Sequence, residues 1–153
     1  MIKVYFDNCV YNRPFDDQGN ERVLIEARAF YIILKWIEDG KITSINSDAL
    51  EYENGMTPDP DRRIRIKTYL AMTKAHAKFS ESLAERAKEI VGLGMRGMDA
   101  VHIAMAEHEN AEYFVTCDDG IIKRAKEFSE MLRVKVCSIL KFLEEVMQYG
   151  EDN

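Results

Sequence analysis

Four acids, far apart along the chain but at comparable places in its pattern, are the residues of this sequence best placed to do chemistry. They are Asp7, Glu53, Asp99 and Asp118. Three of them follow an apolar run typical of a buried strand, or the short helix after such a run. Carboxyl ends of parallel strands meet at one edge of a sheet. Carboxylates gathered there repel one another unless a cation compensates them. The spacing therefore predicts a cation-binding acidic site.

Asp99 reaches the same edge from the first turn of an alanine-rich helix. His102, Ile103 and Ala106 follow it at steps of three, four and seven, and so share its helix face. Because this face is otherwise apolar or small, we expect Asp99 to point inward. We interpret His102 as a buried, hydrogen-bonded core residue and leave it out of the site. Each acid alone also fits a helix cap or turn, so only their convergence predicts chemistry.

Four stretches of the sequence resemble, in order, the motifs of PIN-domain proteins, the family that includes the VapC-type toxins of toxin–antitoxin modules. They are residues 4–17, 47–53, 98–104 and 113–119. The Asp-Ala-x-His-x-Ala stretch followed by strand-Thr-x-Asp is the most telling part, and the resemblance extends from residue 4 to about residue 126. It implies helices around a parallel sheet and an acidic site for Mg²⁺ or Mn²⁺, one ion or two. Asp7, Asp99 and Asp118 match the family's acids.

The second acid of the site is open between two residues. Glu51 and Glu53 lie two positions apart and therefore face differently on a helix, so at most one can point fully into a site. Counting from Ser47 favours Glu53. The predicted catalytic and metal-binding set is then Asp7, Glu53, Asp99 and Asp118, whose hard oxygen ligands suit Mg²⁺ or Mn²⁺.

The resemblance implies a metal-dependent ribonuclease that hydrolyses phosphodiester bonds of single-stranded RNA, with the toxin of a toxin–antitoxin pair as its expected role. Asn8 and Thr116 are candidates to orient water or phosphate, and Lys123 and Arg124 to contact the RNA backbone. The expected partners are RNA, a small antitoxin protein and a second copy of the chain in a homodimer. The alternative is a catalytically silent PIN-like module that binds RNA or protein.

The elements that must position these residues alternate between strand and helix. Strands are predicted at 2–6, 42–46, 113–116 and 134–136, and a loop at 12–19. Helices are predicted at 22–39, 48–53, 60–77, 82–91, 98–108, from 120 to about 128, and from 138 onward. This alternation predicts an α/β fold, a three-layer α/β/α sandwich with a central parallel sheet.

Composition sets outer limits on this interpretation. A chain of 153 residues, 46% hydrophobic and 31% charged, fits one globular domain. We expect no secretory leader and no membrane span, and three cysteines without framework spacing favour free thiols in a reducing cytoplasm. The net charge of −6 argues against a DNA-coating protein, but it leaves room for an ion-assisted nuclease.

Overall fold

A five-stranded parallel sheet forms the centre of the molecule. The computed structural model describes the backbone of residues 1–152 and the side chains of residues 1–148. The strands are β1 (Ile2–Phe6), β2 (Ile42–Ser47), β3 (Ala75–Ala77), β4 (Tyr113–Thr116) and β5 (Lys135–Ser138). Their order across the sheet is β3-β2-β1-β4-β5, and every pairing is parallel. The order reverses between β1 and β4, and ligand crevices of open α/β sheets form at such a reversal.

Helices connect the strands. They are α1 (Asn8–Asn12), α2 (Glu21–Glu38), α3 (Asp48–Gly55), α4 (Pro60–Leu70), α5 (Glu81–Val91), α6 (Gly97–His108), α7 (Asp119–Glu127) and α8 (Ile139–Asp152). Short 3₁₀ turns occupy Arg13–Phe15 and Ser129–Met131. Across residues 1–152, no helix has the length and apolar character needed to cross a membrane.

Two neighbouring residues of β1 show how the helices divide between the two faces of the sheet. Successive side chains of a strand point to opposite faces. The Tyr5 ring meets His102 of α6 at a centroid distance of 5.7 Å. The Phe6 ring meets Phe30 of α2 at 6.4 Å and Phe142 of α8 at 5.7 Å. The predicted three-layer α/β/α sandwich is confirmed, with α6 on one side of β1 and α2 and α8 on the other.

The short helix after β1 is not predicted from the sequence. This helix, α1, begins directly after β1, and the predicted loop over 12–19 follows it and contains a 3₁₀ turn at Arg13–Phe15. The Asp7 side chain accepts from the backbone N–H of Asn8 and caps α1. Val10 and Tyr11 of α1 are buried in the core. A helix of five residues is too short to leave a periodic apolar pattern, so tertiary burial stabilises it.

The predicted helix over 60–77 is wrong in its last seven residues. The helix α4 ends at Leu70, where the Thr73 hydroxyl donates to the Leu70 carbonyl oxygen at 2.7 Å. Residues 75–77 form β3 instead, in parallel register with β2. The segment between them is rich in alanine, lysine and methionine, which favour helix locally. Pairing with an open sheet edge outweighed that preference, as tertiary context commonly does.

Candidate active site

The four predicted acids line a single cleft of about 320 Å³. The residues that share this cleft with them are Asn8, Cys9, Asn12 and Asp16. Asp7 follows β1 and Asp118 follows β4, so the cleft lies at the reversal of strand order. The sheet therefore brings together carboxylates that are more than a hundred residues apart in the chain, as the strand pattern predicted.

Asp7 is nearly buried and is held from three directions. Its backbone N–H donates to the Val115 carbonyl oxygen at 2.9 Å, and its side chain accepts from the Asn8 N–H at 2.8 Å. The Thr116 hydroxyl donates to Asp7 Oδ2 at 2.8 Å and accepts from the Asp118 N–H at 3.1 Å. Thr116 is fully buried. It thus lies behind Asp7, joining two cleft acids, and not on the cleft surface where contact with water or phosphate was predicted.

Asp118 combines two roles that the sequence offered as alternatives. Its Oδ1 accepts from the backbone N–H of Gly120 at 2.8 Å and of Ile121 at 3.2 Å, which caps α7. The same side chain lines the cleft. Among residues 1–148, no group donates to its Oδ2. The cap holds the carboxylate in one orientation and leaves an oxygen for the cleft.

Asp99 carries the clearest electrostatic signature of the site. Burial raises the pKa of Asp99 above its usual value of 3.8, and the Asp7 and Asp118 carboxylates raise the pKa further. Within residues 1–148, none of the three makes an ion pair with lysine or arginine. The charges of Arg96 and His102 offset the rise in the pKa of Asp99 only in part. Like charges destabilise one another, so this cleft favours a cation.

Removing the Asp99 charge is expected to stabilise the metal-free protein. Since the folded state raises the pKa of Asp99, the folded protein binds its proton more tightly than the unfolded chain. Stability then falls as pH rises above the unfolded pKa of about 3.9. In the presence of a metal chelator, Asp99→Asn should raise Tm by a few degrees relative to the wild type at pH 7 and leave Tm unchanged near pH 3. A lower Tm at pH 7 would instead identify Asp99 as a carboxylate that stabilises the helix dipole of α6.

The two candidate glutamates of α3 have different surroundings. Glu53 lines the cleft, and its Oε1 contacts His102 Nε2. Glu51 Oε1 accepts from the Asn46 amide at 2.9 Å, and Glu51 does not line the cleft. The geometry therefore favours Glu53 as the fourth acid.

His102 is a buried and hydrogen-bonded residue, as predicted. Only 1% of it is exposed, and its Nδ1 lies 2.6 Å from the Tyr5 hydroxyl oxygen. Its contact with Glu53 was not foreseen, because nothing in the sequence pairs a histidine of α6 with a glutamate of α3. His102 is thus a core residue whose second nitrogen reaches the site.

A second cavity of about 200 Å³ adjoins the cleft and shares Asp99 and Asp118 with it. Arg96 and Arg124 also line this cavity, so the predicted contact residue Arg124 lies on the same surface as two of the acids. Gly94 has φ +99°, and a Cβ there would lie 3.2 Å from Arg124 Nε. Glycine is therefore favoured at residue 94 by its backbone conformation, and a side chain there would require Arg124 to shift by a few tenths of an ångström.

The remaining predicted contacts divide between the two sides of this surface. Asn8 lines the cleft beside Asp7, and the Asn12 amide donates to the Asn8 carbonyl oxygen at 2.9 Å. Lys123 is exposed but lines neither cavity. Asn8 and Arg124 are thus better placed than Lys123 to meet a ligand of the acids.

Some cleft residues were missed by sequence reasoning. Asn12 and Asp16 fall in the predicted loop over 12–19 and are not among the predicted site residues, yet both line the cleft. Arg62 of α4 donates to Asp16 Oδ1 at 2.6 Å and to Asn12 Oδ1 at 2.8 Å, and Arg13 donates to Asp16 Oδ2 at 3.1 Å. The sequence signal for Asp16 was its place within the first stretch that matches the family. Nothing in the neighbouring residues indicates that Asp16 pairs with Arg62 on a helix some fifty residues away.

Two of the three cysteines also lie beside the acids. The Cys9 thiol is 3.5 Å from Asp7 Oδ2, and the Cys117 N–H donates to Cys9 Sγ at 3.2 Å. All three cysteines are free, as their spacing predicted. The pKa of Cys9 is raised well above its ordinary value by its hydrogen bond with Cys117 and by burial. Cys9 therefore adds a protonated thiol to the cleft wall and no further negative charge.

The donor chemistry of the cleft fits Mg²⁺ or Mn²⁺. Glu53, Asp99 and Asp118 each have a carboxylate oxygen that accepts no hydrogen bond from the described residues and could bind an ion. In the part of the chain that the structure describes, no three His, Cys, Asp or Glu side chains form a compact ligand group. Mg²⁺ is commonly bound by one or two carboxylates together with substrate phosphate and water, without an all-protein cage. A spread set of carboxylates is compatible with that mode.

Sequence comparisons give no relatives for this chain. No protein-family model matches it, and no curated protein is similar to it at a significant level.

Solved structures do share its fold. One such structure is VapBC2 from Rickettsia felis bound to a DNA fragment from its promoter. A chain in that structure superposes on this chain with a TM-score of 0.55 and 15% identity. That match covers 90% of this chain and 98% of the other. PAE2754 from Pyrobaculum aerophilum gives a TM-score of 0.55 and 14% identity, over 96% of this chain and 98% of the other. This chain therefore shares the fold of these two structures, in keeping with the PIN-like α/β/α fold predicted from its sequence.

Proposed function

We propose that this protein is a divalent-metal-dependent endoribonuclease that hydrolyses phosphodiester bonds of single-stranded RNA. The observation that carries the proposal is the cleft in which Asp7, Glu53, Asp99 and Asp118 converge. Among residues 1–148, no lysine or arginine forms an ion pair with any of them. An acidic cleft at the reversal of a parallel sheet, with four carboxylates that no lysine or arginine of the described residues pairs, is suited to a cation-assisted reaction.

The four carboxylates would hold Mg²⁺ or Mn²⁺, as one ion or two. A divalent ion bound there lowers the pKa of a coordinated water and withdraws charge from the phosphoryl oxygens. Thr116 holds the Asp7 carboxylate by donating its hydroxyl, and the cap of α7 holds the Asp118 carboxylate. The Asn8 side chain is near enough to the acids to orient a phosphate or ribose group.

The shape and charge of the surface favour a single strand. The cleft and the adjoining cavity share two carboxylates, and Arg96 and Arg124 lie on the far side of that pair. A flexible strand can bend so that one phosphate meets the acids and a neighbouring phosphate meets the arginines. A rigid duplex needs a long row of cations, which a chain of net charge −6 with these two arginines does not offer. We infer weak binding with a shallow dependence on salt.

A cleavage assay on matched substrates tests the proposal. Single-stranded RNA, hairpin RNA and duplex DNA of the same sequence are incubated with the protein at several salt concentrations, with Mn²⁺, with Mg²⁺ or with chelator. We expect single-stranded RNA to be cut internally, and only when Mn²⁺ or Mg²⁺ is present. Efficient cutting of duplex DNA would contradict the substrate class. RNA that is bound but not cut with either metal would favour the alternative of a silent binding module.

A toxin role and its partners form the finer part of the proposal. The VapBC2 structure supports a small antitoxin as a partner, because a toxin of that fold is found there in a complex. The face of α2 carries exposed Ile25, Tyr31 and Ile32, which is a surface that an antitoxin or a second copy could cover. Growth arrest on expression, reversed by the product of an adjacent small gene, would support the toxin role. Light scattering of the purified protein measures whether it is a homodimer.

A further inference from the structure

A chain of hydrogen bonds runs through the interior from the start of α3 to the cleft. Ser47 Oγ lies 2.6 Å from the Tyr5 hydroxyl oxygen, and that oxygen lies 2.6 Å from His102 Nδ1. His102 Nε2 contacts Glu53 Oε1. Ser47, Tyr5 and His102 are each at most 1% exposed. The four residues belong to β2, β1, α6 and α3, so this chain exists only in the folded protein.

The direction of the chain follows from the hydrogens that each group has to give. The Leu50 N–H donates to Ser47 Oγ at 3.0 Å, so the serine oxygen already accepts there. Among residues 1–148, the remaining partner of the serine hydroxyl is Tyr5, which therefore accepts its hydrogen. The phenol of Tyr5 has one hydrogen and gives it to His102 Nδ1. A neutral imidazole that accepts at Nδ1 carries its hydrogen on Nε2.

The reverse direction leaves a buried group unsatisfied. If His102 donated from Nδ1 to Tyr5, and Tyr5 to Ser47, the serine hydrogen would have no acceptor among the described side chains. Buried hydroxyl groups without a partner are disfavoured. The forward direction satisfies every member of the chain and ends with an N–H directed at Glu53.

We propose that His102 is a positioning residue, held as the Nε2–H tautomer by Tyr5 and Ser47, that orients the Glu53 carboxylate in the cleft. Glu53 Oε1 is then engaged by the histidine, and Oε2 is the oxygen left for the cleft. The inference deepens the proposed function and rests on it for the role of Glu53 in the reaction.

Two further contacts support a fixed geometry. The Tyr5 ring stacks on Phe114 of β4 at a centroid distance of 5.5 Å, which fixes the position of its hydroxyl. His102 lies one helical turn beyond Asp99 on the same face of α6. One helix thus presents one acid of the cleft and supports another.

The first test reads the tautomer without using activity. Long-range nitrogen–proton NMR spectra at neutral pH, with His76 and His108 replaced by glutamine, report on His102 alone. The expected result is a neutral ring with its hydrogen on Nε2. A ring protonated on Nδ1, or a mixture of tautomers, would overturn the proposal.

The second test removes the Tyr5 hydroxyl. In Tyr5→Phe, His102 should no longer be restricted to the Nε2–H tautomer. The kcat for RNA cleavage should fall by about 10- to 100-fold with little change in KM, because a group that orients a metal ligand has been lost. Tyr11→Phe is the matched control, because Tyr11 is equally buried but its hydroxyl has no partner among the described side chains. Wild-type kcat in folded Tyr5→Phe would contradict the positioning role.

A pair of substitutions at residue 102 keeps the test decisive if Tyr5→Phe does not fold. His102→Gln can still direct an N–H at Glu53, whereas His102→Leu cannot. A positioning role predicts that the glutamine variant retains more activity, while a purely structural role predicts equal loss at equal Tm. The Nε2–H tautomer in a protein that cleaves no RNA would refute the proposed function alone. Cleavage with any other tautomer would refute this inference alone.

Discussion

Asp7→Asn is expected to abolish RNA cleavage, with a loss of about 1,000-fold. A metal ion held by the acids would stabilise the charge on the reacting phosphate by several kcal/mol, and losing that stabilisation corresponds to a loss of this size. Asp7 is the most enclosed of the four acids and is hydrogen-bonded to both Asn8 and Thr116. Its negative charge is therefore presented in one fixed place. The measurement is the rate of cutting of single-stranded RNA in Mn²⁺ and in Mg²⁺.

The substitution is chosen so that folding is retained. Asparagine caps helices about as well as aspartate, so the cap of α1 is preserved. Its amide nitrogen can donate to the Thr116 hydroxyl where Asp7 Oδ2 accepted. Asp17→Asn is the matched control, because Asp17 is exposed and lies outside the cleft. RNA cutting that survives in the Asp7→Asn protein would reveal either a contaminating nuclease or a reaction that does not use this cleft.

Glu53→Gln is expected to lower the rate by about 100-fold, equivalent to about 2.7 kcal/mol of transition-state stabilisation. Glutamine keeps the side-chain length and an oxygen that can accept from His102, so the change removes charge while retaining position. Glu51→Gln is the comparison. Glu51 accepts a hydrogen bond from Asn46 outside the cleft, so the cleavage rate of the Glu51→Gln variant should stay within about twofold of wild type.

The comparison of the two glutamates has a clear contrary outcome. Wild-type activity in Glu53→Gln together with loss in Glu51→Gln would transfer the fourth acid to Glu51. Thermal unfolding of both variants shows whether a change in rate follows from a change in stability. Because both glutamates belong to the same short helix, a general weakening of α3 would lower Tm in both.

The parallel sheet and the convergence of the acids could be predicted because both depend on short-range patterns. The apolar runs of β1 and β4 are followed directly by Asp7 and Asp118, and any parallel arrangement brings such residues to one edge. The inward orientation of Asp99 followed from helical periodicity. The same patterns could not separate α4 from β3, because residues 71–77 prefer helix locally and become a strand only beside β2.

What the sequence by itself determined is the α/β alternation and the candidate acids Asp7, Asp99 and Asp118, since each follows from neighbours within one or two turns of chain. The choice between Glu51 and Glu53 came from the structure. Only the tertiary structure decided how those acids are held. Thr116 behind Asp7, Arg62 on Asp16 and His102 on Glu53 are contacts between residues about fifty or more positions apart. Their hydrogen bonds require separate elements to be placed to within a few tenths of an ångström of one another. No local pattern encodes such distances, because they are set by how the elements pack around a common core.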